Sequence, residues 1–390
     1  MRNKCNYFLI IFFLIHACDK YEPKCITGCT DPLACNYNIS AQEDDGSCVY
    51  NELGPCSNEL SLPIDIDPIL GFPLPNNSND NPLTEAGINL GRHLFYDPIM
   101  SSDGTVSCAS CHKQEYAFGD KSQFSSGVGG ILSDRNTPPI INVIFHSQLF
   151  DWDGKSHSLE TQASRPIFNA HELNNSDWCE VISKLSNSTL YQDLFCAAFG
   201  IEKIDSIHVL NALAQFERTM NSTDSKFDQF LQGQYTLSSS ESNGLTIYNS
   251  EKGDCFHCHP LYLTTDNQFR NNGLDSLFYD LGRFNVTNNP NDRGLFKTPT
   301  LRNIEFSAPY MHDGRFNTLD EVIEHYNSGG FDSPTVDPLM KYIYTNPYSI
   351  PNETGLYLTD QEKSDLKAFL LTLSDESFIN NSNLSNPFNQ

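Results

Sequence analysis

Basic residues are scarce in this chain. Only 24 Lys and Arg stand against 49 Asp and Glu over 390 residues, a formal net charge of −25. That balance counts against nucleic acid or an anionic membrane surface as a partner, and suits simple solubility or a basic soluble redox partner. Strand patterns are sparse as well, which argues against a sheet-based fold. An apolar run of bilayer length is missing at the N-terminus: Tyr7 to Ile15 falls short of the roughly 20 residues a spanning helix needs. Preceded by Arg2 and Lys4, that run reads as a secretory signal over residues 1–17, which places the protein outside the cytoplasm.

The signal ends in Ile15-His16-Ala17-Cys18, which resembles a lipobox despite the unusual His16. Cys18 is then the expected lipid-modified N-terminus, and a periplasmic, membrane-anchored lipoprotein the expected form. Cysteine itself is plentiful, with 13 copies, as suits a compartment where disulfides and covalent cofactors are made. Cys5 goes with the signal. Cys25, Cys29, Cys35, Cys48 and Cys56 crowd residues 18–60, a unit too small for a hydrophobic core and so held by disulfides, with one cysteine left over. It reads as a spacer, with calcium on Asp31, Asp44 and Asp45 as a further expectation. Cys179 and Cys196 are expected to form a disulfide, with paired buried thiols as the alternative.

The length calls for more than one core. A Pro/Asn-rich linker, Leu62 to Pro82, precedes a region of helical signals, and the expected division is 61–232 and 233–390. Thr84 and Ser176 can cap helices. Ile207, Leu210, Leu213, Ala214 and Phe216 lie at helical spacing after Asp205. Thr318-Leu-Asp-Glu321 and Thr359-Asp-Gln-Glu362 are capping boxes opening helices to about Tyr326 and Leu373. Long Gly-, Asn- and Pro-rich loops between them suit helical domains wrapped around something other than their own side chains.

That something is legible in Cys108-Ala-Ser-Cys111-His112 and Cys255-Phe-His-Cys258-His259. Cys-x-x-Cys-His is the covalent c-type haem site: two thiols add to the haem vinyls and the histidine becomes an axial iron ligand. A thioredoxin-like site lacks the following histidine, and a zinc site would draw both pairs into one tetrahedron. Two intact motifs about a domain apart predict one haem c per domain, on His112 and His259 as neutral imidazoles.

Gly91-Arg-His-Leu-Phe-Tyr-Asp97, Arg135-Asn-Thr-Pro138, Phe150-Asp-Trp-Asp-Gly154, Lys297-Thr-Pro-Thr-Leu-Arg-Asn303 and Pro309-Tyr-Met-His-Asp-Gly314 resemble, in order from about Leu83 to Leu373, the bacterial dihaem cytochrome c peroxidase/MauG family. The resemblance implies a mainly α fold of two cytochrome c-like haem domains, here behind the small Cys-rich module. It implies an N-terminal haem that handles H2O2 and a C-terminal haem that stores or relays electrons. Glu172, six residues after Pro166, matches the distal acid–base glutamate, where a carboxylate moves a proton from one peroxide oxygen to the other. Read without the family it is an ordinary surface acid. Trp152 matches a tryptophan between the haems, though the residue alone is equally a packed aromatic. Gln162 matches a polar position of the distal pocket. Asn136, Ser307 and Pro309 match an interdomain calcium site of hard oxygen ligands.

Two departures stand out. Family members that rest with a closed peroxidatic haem carry a distal histidine before the Arg-Asn-x-Pro segment, and residues 125–134 contain none. The first haem is therefore expected to be open at rest. Where many members place methionine as distal ligand of the second haem, this chain has Tyr326, with Met311 and Met340 as rivals and His312 beside them. An oxygen ligand favours ferric over ferrous iron and lowers the potential relative to thioether sulfur. The expected function is peroxide reduction with a small c-type cytochrome or cupredoxin as donor. The alternatives are a MauG-like oxidase acting on a protein side chain and a non-catalytic electron carrier; homodimers are known in the family.

Overall fold

The computed structural model describes residues 27–389 except 32–33, 35–36, 39, 50–55, 57–60, 70, 77–79, 147–148 and 342–354. The signal segment, Cys18, Cys25 and Cys35 lie outside the described residues. Among those described, helices dominate and strands amount to two short pairs: Thr27–Gly28 parallel to Glu43–Asp44, and Phe269–Arg270 antiparallel to Phe296–Lys297.

Two hydrophobic cores are each founded on a tight helix crossing. In the first, helix Glu85–Tyr96 crosses Ser206–Glu217. Thr84 opens the former, its Oγ1 accepting from Gly87 N at 3.0 Å. Side chains Leu90, Leu94 and Phe95 meet Val209, Leu213 and Phe216 in its interior. The approach is so close that a Cβ on Gly91 would lie 1.9 Å from the Ala212 carbonyl oxygen, so only glycine fits. The second core repeats the device. Helix Ser239–Tyr248 crosses Asp360–Leu371, and a Cβ on Gly244 would lie 2.0 Å from Asp365 O. Phe227, Tyr248, Phe369 and Leu373 fill it.

Both capping boxes form, on Thr318 for Leu319–Asn327 and on Thr359 for Asp360–Leu371. The expected cap at Ser176 is one residue early: Asp177 caps Trp178–Ser186, its carboxylate accepting from Glu180 N at 3.0 Å, while Ser176 instead bonds to Glu180. A carboxylate satisfies the free N–H groups and the helix dipole together. Ile207 is 40% exposed, because the stripe that faces the core runs through Val209 and Leu213.

The chain end returns to the first core. Phe378 and Leu384 pack there, Arg92 Nε donates to Ser385 O at 2.6 Å, and Tyr96 Oη to Leu384 O at 2.7 Å. Cys29 pairs with Cys48. The pairing of Cys179 with Cys196 is corrected: Cys196 is bonded to Cys56, closing 140 residues and tying the Cys-rich segment to helix Thr189–Phe199. Cys179 is itself in a disulfide. Sequence distance misleads here, because Cys179 and Cys196 sit on successive helices while a distant segment lies closer. Asp44 and Asp45 turn Oδ1 onto the amides of Gly46 and Ser47. Among the described residues the one grouping of acids and imidazoles at metal-binding distances is Glu251, Asp254 and His257, so Asp31, Asp44 and Asp45 do not converge.

Candidate functional site

Two cavities hold the two Cys-x-x-Cys-His segments. The first, about 530 Å³ with its open mouth, is lined by Cys108, Cys111 and His112 together with Gln162, Pro166, Glu172 and Glu217. The second, about 1580 Å³ counted the same way, is lined by Cys255, Cys258 and His259 together with Trp152, Asn136, Ser307, Pro309 and Tyr326. A cavity therefore stands at each of the two motifs.

Each imidazole is oriented alike. His112 Nδ1–H donates to Phe118 O and His259 Nδ1–H to Thr264 O, both at 2.8 Å. Fixing Nδ1 on a carbonyl sets the tautomer and leaves Nε2 as the nitrogen for a metal. Burial lowers the pKa of both rings, holding them neutral against the opposing backbone bonds. All four motif thiols are free of disulfides, and burial pushes them up, Cys111 to about 11 and Cys255 to about 12. Two free thiols and an imidazole fixed through Nδ1, facing a cavity at each motif, are the donor set that covalent haem needs.

Glu172 reaches the first cavity from the turn after helix Leu159–Phe168. Asn169 Nδ2 donates to its Oε1 at 2.7 Å. Burial raises its pKa, with that hydrogen bond and Arg165 pulling the other way. Gln162 lies on the same helix and lines the same wall. A carboxyl held partly out of water, with one oxygen anchored, can exchange a proton with a small guest beside it.

Sequence reasoning passed over Glu217. It is 5% exposed and, among the described residues, no side chain bonds to its carboxyl, so burial raises its pKa to about 8. Neighbouring Arg218 spends its charge on Glu160, 2.8 Å away. The signal was available: Glu217 lies four residues beyond Leu213, on the same buried face of an apolar helix.

Trp152 stands on the wall of the second cavity, where its Nε1–H donates to Asn136 O at 2.8 Å. The family-like segments meet around it. Arg135 joins Asp153 at 2.8 Å and Asp280 at 2.6 Å, and Lys297 N donates to Trp152 O at 2.8 Å. Asn136, Ser307 and Pro309 come to the same cavity. So do all three candidate distal groups, Tyr326, Met311 and Met340. Asn272 Nδ2 lies 3.3 Å from Tyr326 Oη and 3.4 Å from Met311 Sδ. Burial pushes the Tyr326 phenol up to about 12, so it needs a cation to ionise. His312 stacks on Phe296, centroids 3.6 Å apart.

A family model described as di-haem cytochrome c peroxidase matches residues 85–236. The chain is 36% identical over 300 residues to the methylamine utilization protein MauG of Methylorubrum extorquens, covering 76% of this chain and 80% of that one. It is 32% identical over 340 residues to the cytochrome-c peroxidase IdrP1 of Pseudomonas sp. strain SCT, covering 79% and 85%. Among solved structures, a MauG-like protein associated with microbial copper homeostasis superposes with a TM-score of 0.73 at 35% identity, over 83% of this chain and 99% of that one.

Proposed function

Because this chain belongs to the di-haem cytochrome c peroxidase family, we propose that it reduces hydrogen peroxide to water outside the cytoplasm, drawing electrons from a small c-type cytochrome or cupredoxin. The observation that carries this reading is the sharing of one buried cavity by Glu172 and the His112 motif.

Haem c, held through Cys108, Cys111 and His112, would supply the redox iron at which the peroxide bond is cleaved, and a second, on Cys255, Cys258 and His259, would supply electrons. The overall change, H2O2 + 2 H+ + 2 e− → 2 H2O, needs a proton taken from one peroxide oxygen and placed on the other. Glu172 does both as base and then acid. Asn169 anchors one of its oxygens and leaves the other for the guest. Gln162 offers an amide on the same wall, and the apolar Phe95, Ile140 and Leu173 keep bulk water out. Trp152, fixed by Asn136 O on the wall of the second cavity, offers an aromatic step for electrons between the two sites. Asn136, Ser307 and Pro309, which line the same cavity, would hold a calcium ion there. A lipid on Cys18 anchors the protein at the periplasmic face of a membrane.

A second reading has one specific observation in its favour. Tyr326, half-buried on the wall of the second cavity, would offer an oxygen ligand to a haem held there, which would suit a MauG-like oxidase of protein side chains more than an electron store. The test is the rate at which the holoprotein oxidises a reduced small cytochrome c on adding H2O2, beside Glu172→Gln. Glutamine keeps the shape and loses the proton exchange, and the rate is expected to fall by about 10²–10⁴-fold. An unchanged rate in the variant, or none in the wild type, refutes the reading.

A further inference from the structure

The segment without a distal histidine, residues 125–134, is a closed hairpin tied at both ends. At its base, Ser125 Oγ donates to Asp120 Oδ2 at 2.6 Å and meets Thr137 Oγ1 at 2.7 Å. Asp120 in turn holds Lys113, beside the first haem motif, at 2.7 Å. Ser126 and Leu132 form an antiparallel bridge, and Gly127 N donates to Ile131 O at 2.8 Å, closing the tip. The hairpin then reaches across to the Glu172 turn. Val128 N donates to Glu172 O at 2.9 Å, and His171 Nδ1–H donates to Leu132 O at 2.9 Å.

Gly127 sits at the contact. Its φ of −88° is open to any L-residue, so conformation does not call for glycine here. Space does: a Cβ would lie 2.1 Å from His171 O, 2.5 Å from His171 C and 2.8 Å from Glu172 Cα, all backbone atoms with no rotamer to yield. The hairpin backbone thus lies flat against the two residues that present the carboxyl to the first cavity. Such a bond and such a fit leave little freedom in the placing of Glu172, and near-attack geometry is sensitive to shifts of about 1 Å.

We propose that the 125–134 hairpin is a fixed brace for the Glu172 turn, with Gly127 as its positioning residue, so that the proton-exchanging carboxyl is held ready at rest. This rests on the reading of Glu172 given above. Gly127 touches neither cavity wall and acts only through the turn.

The experiment is a double-mutant cycle in the holoprotein with Gly127→Ala, Glu172→Gln and their combination, reading the peroxide-dependent rate. Hydrogen exchange of the 125–134 peptide is followed in parallel. Gly127→Ala is expected to slow the reaction about tenfold or more, from a displacement of roughly 1 Å. That loss should vanish in the Glu172→Gln background, since residues acting through one group are not additive. The Val128 amide should lose protection in Gly127→Ala. Should that variant fail to fold, His171→Ala, which removes the tie to Leu132 O and the 3.5 Å contact with Asp134 at a partly exposed site, is expected to show a smaller loss with the same non-additivity. A wild-type rate in Gly127→Ala, or a loss that multiplies with that of Glu172→Gln, overturns the brace alone. A wild-type rate in Glu172→Gln overturns the underlying reading and the brace with it.

Discussion

Replacing Glu217 by glutamine should make the protein more stable, and by an amount that depends on pH. The carboxyl is 5% exposed and faces the first cavity with no hydrogen-bonding side chain, so folding raises its pKa from the usual 4.5 to about 8, burial being the main cause. With the folded value above the unfolded one, the acid's favourable contribution is fully present below pH 4.5 and is lost as pH rises through about 8. At about 1.36 kcal/mol per pH unit, the full span from 4.5 to 8 comes to a cost on the order of 5 kcal/mol for the wild type at pH 9. Glutamine has the same shape and no charge to bury. The variant should match the wild type near pH 4, gain on it steadily between pH 4.5 and 8, and stay ahead by a constant margin above that. Urea unfolding followed by far-ultraviolet circular dichroism over pH 4–9 reads the difference directly. A stability difference that is flat across this range would refute the reasoning, because it would mean Glu217 is ionised and partnered.

Three more outcomes follow from the same geometry. Arg302 has a side chain 0% exposed and rests on Asp228 through both terminal nitrogens, one at 2.8 Å, with Nε on Tyr262 O at 2.6 Å. Asp228→Asn strands that cation and should cost about 3–5 kcal/mol in urea unfolding; a loss under about 1 kcal/mol would contradict it. Tyr326→Met should change the spectrum of the second haem alone and raise its midpoint potential in a redox titration; an unchanged potential would pass the ligand role to Met311 or Met340. Because burial raises the Glu172 pKa, the peroxide rate should fall on acidification at a pH above the ordinary carboxylate range, as the base takes up its proton. A fall confined to pH below 4.5 would contradict that.

The haem-binding pentapeptides were readable because covalent attachment needs consecutive residues, and consecutive residues are what a sequence displays. The capping boxes at Thr318 and Thr359 were readable for the same reason. Trp152 and Glu172 are ordinary residues locally and became candidates only through the order of motifs around them, which the structure brings together by Arg135, Asp153 and Asp280. Contacts between distant segments were not readable. Nothing in the sequence pairs Cys56 with Cys196, returns Leu384 to the first core, or lays Gly127 against His171. Gly91 and Gly244 look like helix weaknesses until the crossing helix is seen to fill the missing Cβ space. Glu217 was passed over because a lone acid at a helix end usually faces water.

We propose that the first haem site is open at rest and works on peroxide. The most direct test is the visible and EPR spectrum of the as-isolated diferric holoprotein before and after one equivalent of H2O2. A high-spin ferric signal from one haem, changing within mixing time without prior reduction, is the predicted result. Two low-spin haems indifferent to peroxide would contradict the account and leave an electron carrier.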